Sequence, residues 1–379
     1  EVIAPGTVII SAAGNCSNIT KVVEPVLQRN GGNIYYINLS QDSFKLGGSS
    51  FAQVLNKIGN DVPTIQNSEF FKKAFNVLQD LIKDRKIKAG HDIGSGGLIT
   101  TLLEMCFADD KLGALIDLTS LGEKDTVKAL FNENIGVVFQ ANAEVEATFA
   151  QHNIEIFKIG SAIDGDAFTV INGDDSLTFS ISTLRDTWFK TSFLLDSKQS
   201  KNGMAQERFD NYKNQKLQFT FPSHFDGTLR QAQGDIAPVG SRPKAAIIRE
   251  KGSNSEREMA NAMFLAGFDV KDVHMTDLIS GRETLEDIQF IGAVGGFSNS
   301  DVLGSAKGWA GAFLYNEKAN TALKNFYKRE DTLSVGICNG CQLLMELELI
   351  NPEHEVHGKM HHNTSNKHES GFTSVTVQK

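Results

Sequence analysis

Apolar and polar positions along the first half of the chain predict strands and helices in alternation. "GTVIISAAG" (6–14) and "NIYYINLS" (33–40) have the β-rich composition of strands. "SEFFKKAFNVLQDLIKDRKI" (68–87) carries apolar residues at helical spacing with charges on the other face, and "GGLITTLLEMCFA" (96–108) predicts a further helix. Because strands and helices alternate over roughly 1–185, we expect an α/β layer there.

The alternation becomes more regular from Lys244 onward. "KAAIIRE", "FIGAVGGFS" and "LSVGI" are short apolar strands, each followed by small or polar residues and then a helical pattern. This spacing predicts a doubly wound parallel sheet, whose chemistry lies at the carboxyl ends of its strands. The preceding passage is polar and then contains several Pro and Gly, as a linker does. We therefore expect an α/β domain at 1–190, a linker at 191–243 and a parallel-sheet domain at 244–379.

Composition narrows the class of protein. The 379 residues include 37 basic and 46 acidic side chains, and this net charge of −9 argues against a nucleic-acid partner. No apolar stretch has the length of a membrane span, and no basic-then-apolar leader opens the sequence, so we expect no membrane association. The four cysteines are too few and too scattered for a disulfide framework, which predicts a reducing, cytoplasmic setting.

Cys338 stands where a predicted strand turns into a Leu-rich helix, within "GICNGCQLL". At a helix N-terminus the backbone dipole and the unpaired N–H groups favour a thiolate over a thiol. Gly336 and Gly340 lie two residues to either side, which is the spacing of a nucleophile elbow. The N–H group of Asn339 would then point toward an oxyanion. The residues "GGFS", which follow the preceding strand, would supply a second donor from Gly296 or Phe297.

Two other interpretations of Cys338 remain open from spacing alone. Cys338 and Cys341 form a C-x-x-C pair, which is also typical of thiol–disulfide redox proteins. Cys338 would otherwise be a buried structural thiol. Against the redox interpretation, the intervening residues are Asn and Gly, and no Trp or Pro stiffens the turn.

Two Gly-rich turns are candidates for phosphate binding. "HDIGSGGL" (91–98) opens onto an apolar helix, so free N–H groups converge there on any bound anion. Its candidate residues are Gly94, Ser95, Gly96 and Gly97. "LGGSS" (46–50) is a second such turn, in which Ser49 or Ser50 caps the following helix. For both turns an ordinary helix start is the alternative.

Longer motifs resemble one enzyme family. "GICNGCQ" is similar to the nucleophile segment of class I glutamine amidotransferases. Together with "REKGSNSEREMANAMFLAGF" and "GGFSNSDVLGSAKGWA", in that order, it resembles the glutaminase domain of the large, fused phosphoribosylformylglycinamidine synthases. "AGHDIGSGGLITTLLEMCFA" and "TLRDTWFKTSFLLD" resemble the synthetase region of that family. The resemblance covers nearly the whole chain outside about 197–243.

The resemblance implies a carbon–nitrogen ligase of purine biosynthesis that uses ATP and Mg²⁺. Such an enzyme converts formylglycinamide ribonucleotide, with ammonia from glutamine, to formylglycinamidine ribonucleotide. By position, Cys338 is then the nucleophile, Gly296 and Asn339 form the oxyanion region, and Asp92 is a Mg²⁺ ligand. The family usually reads H-D-x-S-D-G-G at 91–97, whereas Gly94 and Ser95 stand here for its Ser and Asp, which weakens the implied nucleotide contact.

The resemblance also implies partners for this chain. The family's amino-terminal synthetase domains and the His and carboxylate that serve its Cys have no counterpart here, so we expect an internal fragment that is inactive alone. A thiol–disulfide redox protein that uses Cys338 and Cys341 is the alternative function. In a third interpretation, the synthetase-like half is only a structural partner domain, and the altered 91–97 motif would then hold a nucleotide for structure and not for catalysis.

Overall fold

The computed structural model describes residues 9–14, 16, 18, 21–109, 111–214, 242–304 and 306–371. The chain divides into two compact units, one formed by Glu1–Lys198 with Ala205–Asp210 and the other by Gln199–Met204 with Asn211–Lys379. Each unit has its own main sheet. Within the described ranges, no helix has the combination of length and apolar composition that crossing a membrane requires.

Within the described residues, the first unit has a seven-stranded sheet. The strands are β1 (Asn33–Asn38), β2 (Ile87–Asp92), β3 (Leu112–Asp117), β4 (Gly136–Ala141), β5 (Phe157–Asp164), β6 (Ala167–Asn172) and β7 (Asp175–Ser180). The helices are α1 (Ser50–Val54), α2 (Ser68–Lys83), α3 (Gly97–Cys106), α4 (Thr126–Phe131), α5 (Val145–Gln151) and α6 (Ile181–Gln199), and α7 (Met204–Asn211) follows. The order β2-β4-β1-β5-β3-β6-β7 is antiparallel except where β3 meets β6.

The centre of this sheet is buried on both faces. Successive side chains of a strand point to opposite sides. On β1, Ile34 and Tyr36 pack into an apolar cluster with Leu98 of α3, whereas Tyr35 and Ile37 pack into another cluster that includes residues of α2. The central four residues of β1 are therefore all buried, and the α/β layer expected from the sequence is confirmed.

Asp42 anchors the loop between β1 and α1. Its carboxylate accepts hydrogen bonds from Lys45 Nζ and from the Thr64 N–H, both at 2.9 Å. The bond from Lys45, followed by that from Thr64, holds the pKa of Asp42 well below its ordinary value. A carboxyl group with a depressed pKa stabilises the fold above its unfolded-state pKa, near 4, and loses this contribution as the pH falls below that value.

We expect Asp42→Asn to lower the free energy of unfolding by about 1.5–3 kcal/mol at pH 7, because hydrogen bonds to a charged group are lost. The difference from the wild type should shrink toward pH 3, and chemical denaturation across that pH range measures it. The matched control is Asp80→Asn, which removes an exposed ion pair with Lys83 and should have little effect. An Asp42→Asn penalty that does not depend on pH would contradict this account.

The second unit is built on a parallel sheet. Its strands are β8 (Lys244–Arg249), β9 (Ser253–Asn254), β10 (Asp269–His274), β11 (Phe290–Ala293), β12 (Gly295–Gly296) and β13 (Leu333–Gly336). Its helices are α8 (Glu256–Leu265), α9 (Met275–Ser280), α10 (Lys307–Tyr315), α11 (Glu317–Tyr327) and α12 (Asn339–Glu346). The order β10-β8-β11-β13 is parallel throughout, which confirms the parallel sheet predicted for this part of the chain.

The strand order of this sheet reverses between β8 and β11. From β8 the chain moves outward to β10, whereas from β11 it moves outward to β13. Such a switch point opens a crevice at the carboxyl ends of the strands. Here two short strands, β9 after β8 and β12 after β11, form an antiparallel pair, with Gly295 opposite Asn254 and Gly296 opposite Ser253.

Two expectations differ from the structure. Residues 9–14 of the predicted strand "GTVIISAAG" have no regular structure, and 6–8 lie outside the described residues. The predicted linker at 191–243 contains the end of α6 and all of α7, while 215–241 lies outside the description. Polar composition alone did not identify these helices, because α6 and α7 together bury only a few side chains.

Candidate active site

Cys338 lies between the end of β13 and the first residue of α12. Its backbone has φ 56° and ψ −110°, a conformation that is strained for a residue with a side chain. The turn is fixed on both sides, because the Ile337 N–H donates to the Ala293 carbonyl at 3.1 Å and the Gln342 N–H donates to the Cys338 carbonyl at 3.1 Å. The thiol is exposed at the carboxyl edge of the sheet, as a nucleophile elbow requires.

The two glycines around Cys338 are required by close packing. A Cβ atom at Gly336 would lie 2.6 Å from the carbonyl carbon of Gly340. A Cβ atom at Gly340 would overlap the Ala293 carbonyl group at the end of β11. The G-x-C-x-G spacing therefore allows the first turn of α12 to contact both β13 and β11, which holds the elbow against the sheet.

The predicted oxyanion region lies directly beside this elbow. A Cβ atom at Gly295 would be 3.3 Å from Cys338 Cβ and 3.9 Å from its Sγ, so β12 borders the thiol. Gly296 has φ 101°, and a Cβ atom there would lie 2.6 Å from the Asn254 nitrogen. The Phe297 N–H, the other donor considered from sequence, instead bonds to the Gly252 carbonyl at 3.0 Å.

Asn339 connects the elbow to the loop after β12. Its side chain is buried, its Oδ1 accepts a hydrogen bond from the Ser298 N–H at 3.3 Å, and its Nδ2 donates to Gln342 Oε1 at 2.8 Å. As the first residue of α12, it also carries a backbone N–H that has no acceptor within the helix. Sequence reasoning identified this N–H, but the side-chain contact with Ser298 depends on a residue about 40 positions away.

We expect Asn339→Ala to loosen the loop after β12, because the buried Ser298 N–H would lose its acceptor. The cost should be about 1–3 kcal/mol of unfolding free energy, and alkylation of Cys338 should become less selective for glutamine-like reagents. Cys341→Ala is the control, since it truncates an exposed side chain of the same helix and leaves both side-chain hydrogen bonds of Asn339 in place. Denaturation midpoints and alkylation rates measure both effects, and equal losses in the two variants would contradict the assignment.

Two other titratable residues, His274 and Cys341, lie near the carboxyl edge of the sheet, and the His274 side chain is already hydrogen-bonded. His274 is the N-terminal cap of α9; its Nδ1 accepts the Thr276 N–H at 3.2 Å, and its Nε2 lies 4.0 Å from Glu250. Cys341, one turn into α12, is an exposed free thiol like Cys338. No group of three or more His, Cys, Asp or Glu side chains suited to a metal ion occurs within the described part of the chain.

In the first unit, Asp92 ends β2 with its side chain 84% exposed. His91 lies beside it, with Nδ1 3.4 Å from Asp92 Oδ1 and Nε2 3.4 Å from Glu104. A single exposed carboxylate suits Mg²⁺ only where phosphate oxygens and water complete the six ligands. The residues present thus fit a Mg²⁺ ion that arrives with a nucleotide, and not a closed protein site.

The predicted phosphate turn precedes α3, as its glycines indicated. Gly94 and Ser95 are exposed, and Gly96, with φ 92°, is the N-terminal cap of the helix. The Gly97 N–H donates to the Gly94 carbonyl at 3.1 Å, and the Gly96 N–H donates to Glu133 Oε1 at 2.8 Å. Glu133 was not found from the sequence, because no periodicity or motif distinguishes it.

The second Gly-rich turn begins α1 and contacts the same glutamate. Ser49 caps the helix by accepting the Ala52 N–H, which confirms one of the two predicted caps. The Ser50 N–H donates to Glu133 Oε1 at 2.8 Å. Glu133 therefore accepts hydrogen bonds from the first turns of both α1 and α3.

Comparison with known proteins finds a family match for each of the two regions of the chain. Residues 242–379 match the model of the CobB/CobQ-like glutamine amidotransferase domain, and residues 32–172 match that of the AIR synthase related protein, C-terminal domain. The chain thus joins an amidotransferase-type domain to a domain of the AIR synthase type.

Two curated relatives match nearly the whole chain. Probable phosphoribosylformylglycinamidine synthase, chloroplastic/mitochondrial, of Arabidopsis thaliana is 39% identical over 99% of this chain and 27% of its own length. Phosphoribosylformylglycinamidine synthase of Homo sapiens is 36% identical over 99% of this chain and 29% of its own length. The resemblance to phosphoribosylformylglycinamidine synthase is thereby confirmed, and the chain spans between a quarter and a third of these relatives.

Among solved structures, Thermotoga maritima PurL complexed with FGAR matches 44% of this chain and 30% of that chain, with a TM-score of 0.36 and 15% identity.

Proposed function

We propose that this chain is part of an ATP-dependent amidotransferase of de novo purine biosynthesis. The reaction converts formylglycinamide ribonucleotide, glutamine and ATP to formylglycinamidine ribonucleotide, glutamate, ADP and phosphate. The observation that carries the proposal is the strained Cys338 elbow, placed in a glutamine amidotransferase domain on the same chain as an AIR synthase-type domain. The two relatives matched over 99% of the chain bear the name of the enzyme that carries out this reaction.

In the proposed glutaminase step, Cys338 Sγ attacks the carboxamide carbon of glutamine. The carbonyl oxygen gains negative charge, which the N–H groups of Asn339 and Gly296 would stabilise. A base accepts the thiol proton, which then leaves with the amide nitrogen as ammonia. Water hydrolyses the resulting Cys338 thioester to glutamate and restores the thiol.

In the proposed synthetase step, the first unit contributes to the site that uses ATP. Asp92 would hold Mg²⁺, and the turn formed by Gly94, Ser95, Gly96 and Gly97 would face phosphate. Bound Mg²⁺ would neutralise charge on the phosphate oxygens. The remaining contacts, and the formylglycinamide ribonucleotide site, would come from the amino-terminal synthetase domains that the family carries. We assign the protein to the cytoplasm, although the Arabidopsis relative is named chloroplastic/mitochondrial.

The redox alternative has no support. Cys338 and Cys341 are both free, and both family models and both relatives belong to amidotransferase or synthase families.

The test joins this chain to the synthetase portion and to the segment with the glutaminase His and carboxylate that the family carries, and it supplies either glutamine or ammonium chloride as the nitrogen source. We expect formylglycinamidine ribonucleotide to form with both, with one glutamate released per ADP when glutamine is used. Product mass and coupled ADP release measure the two yields. If no amidine product forms with either nitrogen source, while glutamine is still hydrolysed to glutamate, the proposed reaction is contradicted.

A further inference from the structure

A pocket of about 390 Å³ lies at the carboxyl edge of the parallel sheet, where the strand order reverses between β8 and β11. Its walls are formed by Glu250, which follows β8, by residues of the loop 298–304 after β12, and by the start of α10 with Lys307. We call it the edge pocket. Ligands of open α/β sheets bind in this position.

The edge pocket contains charged groups of both signs that are not paired with one another. Glu250 Oε1 accepts the Lys251 N–H at 2.7 Å and lies 4.0 Å from His274 Nε2, whereas no described residue donates to Oε2. Asp301 and Lys307 form no ion pair within the described part of the chain. Two carboxylates and one ammonium group around one cavity are complementary to a ligand that itself carries both charges.

Two buried polar atoms in the wall of the edge pocket have no partner. Ser298 is 3% exposed, and neither its Oγ nor Asp301 Oδ1 has a hydrogen-bond partner among the described residues. Buried polar atoms are hydrogen-bonded as a rule, so an unpaired one calls for a specific explanation. Rotation of either side chain would bring these atoms to a polar ligand in the pocket.

The edge pocket begins beside the Cys338 elbow. Gly295 borders the Cys338 thiol, and three residues further along the Ser298 N–H donates to Asn339 Oδ1 at 3.3 Å. In glutamine, only two methylene groups separate the carboxamide carbon from the α-carbon, which carries an ammonium and a carboxylate group. A glutamine whose carboxamide lies at Cys338 would therefore have its charged head group within reach of this pocket.

We propose that the edge pocket holds the head group of glutamine, with Glu250 and Asp301 binding the α-ammonium group and Lys307 binding the α-carboxylate. This inference rests on the glutaminase role given to Cys338 in the proposed function. Charge-assisted hydrogen bonds of this kind are stronger than neutral ones, and they would select a free amino acid over a neutral amide.

Three ligands separate the two ends of the head group. Glutamine carries both charges, glutaramic acid lacks the α-amino group, and 4-aminobutanamide lacks the α-carboxylate. Each is titrated against the full 379-residue chain, and peptide mapping measures how far it protects Cys338 from iodoacetamide. The variants are Lys307→Gln, Asp301→Asn and Glu250→Gln, and the control is Lys324→Gln, which removes an exposed lysine of α11.

We expect Lys307→Gln to weaken protection by glutamine and by glutaramic acid about tenfold or more, without weakening 4-aminobutanamide. Asp301→Asn and Glu250→Gln should weaken glutamine and 4-aminobutanamide by a similar factor, without weakening glutaramic acid. Lys324→Gln should match the wild type with all three ligands.

A variant that weakens all three ligands alike would indicate a structural role for that residue and would overturn its assignment. Equal protection by glutamine in the wild type and in the three pocket variants would also overturn the inference, while leaving Cys338 as the nucleophile. If glutamine does not protect Cys338 in the wild type, both the inference and the glutaminase step of the proposed function are overturned.

Discussion

Gly340→Ala is expected to lower the free energy of unfolding of the second unit by about 2–3 kcal/mol or more, because overpacking forces a backbone shift. The new Cβ would overlap the Ala293 carbonyl group and lie 2.9 Å from the Ala293 Cβ. These atoms belong to β11, which lies between β8 and β13, so they cannot shift without disturbing the sheet. The elbow would move off the sheet, and the reactivity of Cys338 toward glutamine-like reagents should fall with the stability.

The matched control is Gly311→Ala on α10, where the added Cβ meets only Tyr315 at 3.8 Å. Alanine in a helix is more favourable than glycine, so this variant should be unchanged or slightly more stable. Thermal and denaturant unfolding of both variants measure the difference. An unfolding free energy of Gly340→Ala within experimental error of the wild type would show that the elbow does not pack as described.

Cys338→Ala is expected to separate the two nitrogen sources of the proposed reaction. In the chain joined to the synthetase portion and to the segment with the glutaminase His and carboxylate, the glutamine-dependent rate should fall by about 1,000-fold or more, since no thioester forms. The ammonia-dependent rate should stay within about twofold, because ammonia bypasses Cys338. The substitution removes an exposed side chain and leaves Gly336 and Gly340 unchanged, so the fold should persist.

Cys341→Ala is the control for this prediction, since Cys341 is also exposed but lies one turn into α12. Its glutamine-dependent rate should remain close to that of the wild type. Equal losses in Cys338→Ala and Cys341→Ala would indicate a shared role for the two thiols and would favour the redox alternative. Loss of the ammonia-dependent rate in Cys338→Ala would point to a structural role for this cysteine.

The second unit was largely predictable, because its signals are local. Short apolar strands followed by small residues indicate parallel strand–helix units, and glycines two residues either side of Cys338 indicate the elbow. The structure adds the reason for that spacing, which is contact between Gly340 and Ala293 on a neighbouring strand. That contact joins residues nearly 50 positions apart. The sequence therefore indicated that a small residue is needed at 340, but it did not indicate that Ala293 is the residue in contact with it.

The first unit was predictable in its elements but not in its pairing. The helix start at 94–97 and the cap at Ser49 depend on neighbouring residues, and both were predicted correctly. The mainly antiparallel order of the seven strands depends on contacts between distant segments, which local patterns do not encode. Glu133 is another such case, since its carboxylate joins two turns that precede it by 37 and 83 positions.

Peptide mapping of the full chain after reaction with a diazo-ketone analogue of glutamine tests directly whether Cys338 is the glutaminase nucleophile. We expect one adduct, on Cys338, that glutamine suppresses and that Cys341→Ala retains. This result would show that the elbow and a glutamine pocket form together at the carboxyl edge of the parallel sheet. Modification of Cys341 in preference to Cys338, or labelling that glutamine does not suppress, would contradict the assignment of Cys338 as the glutaminase nucleophile.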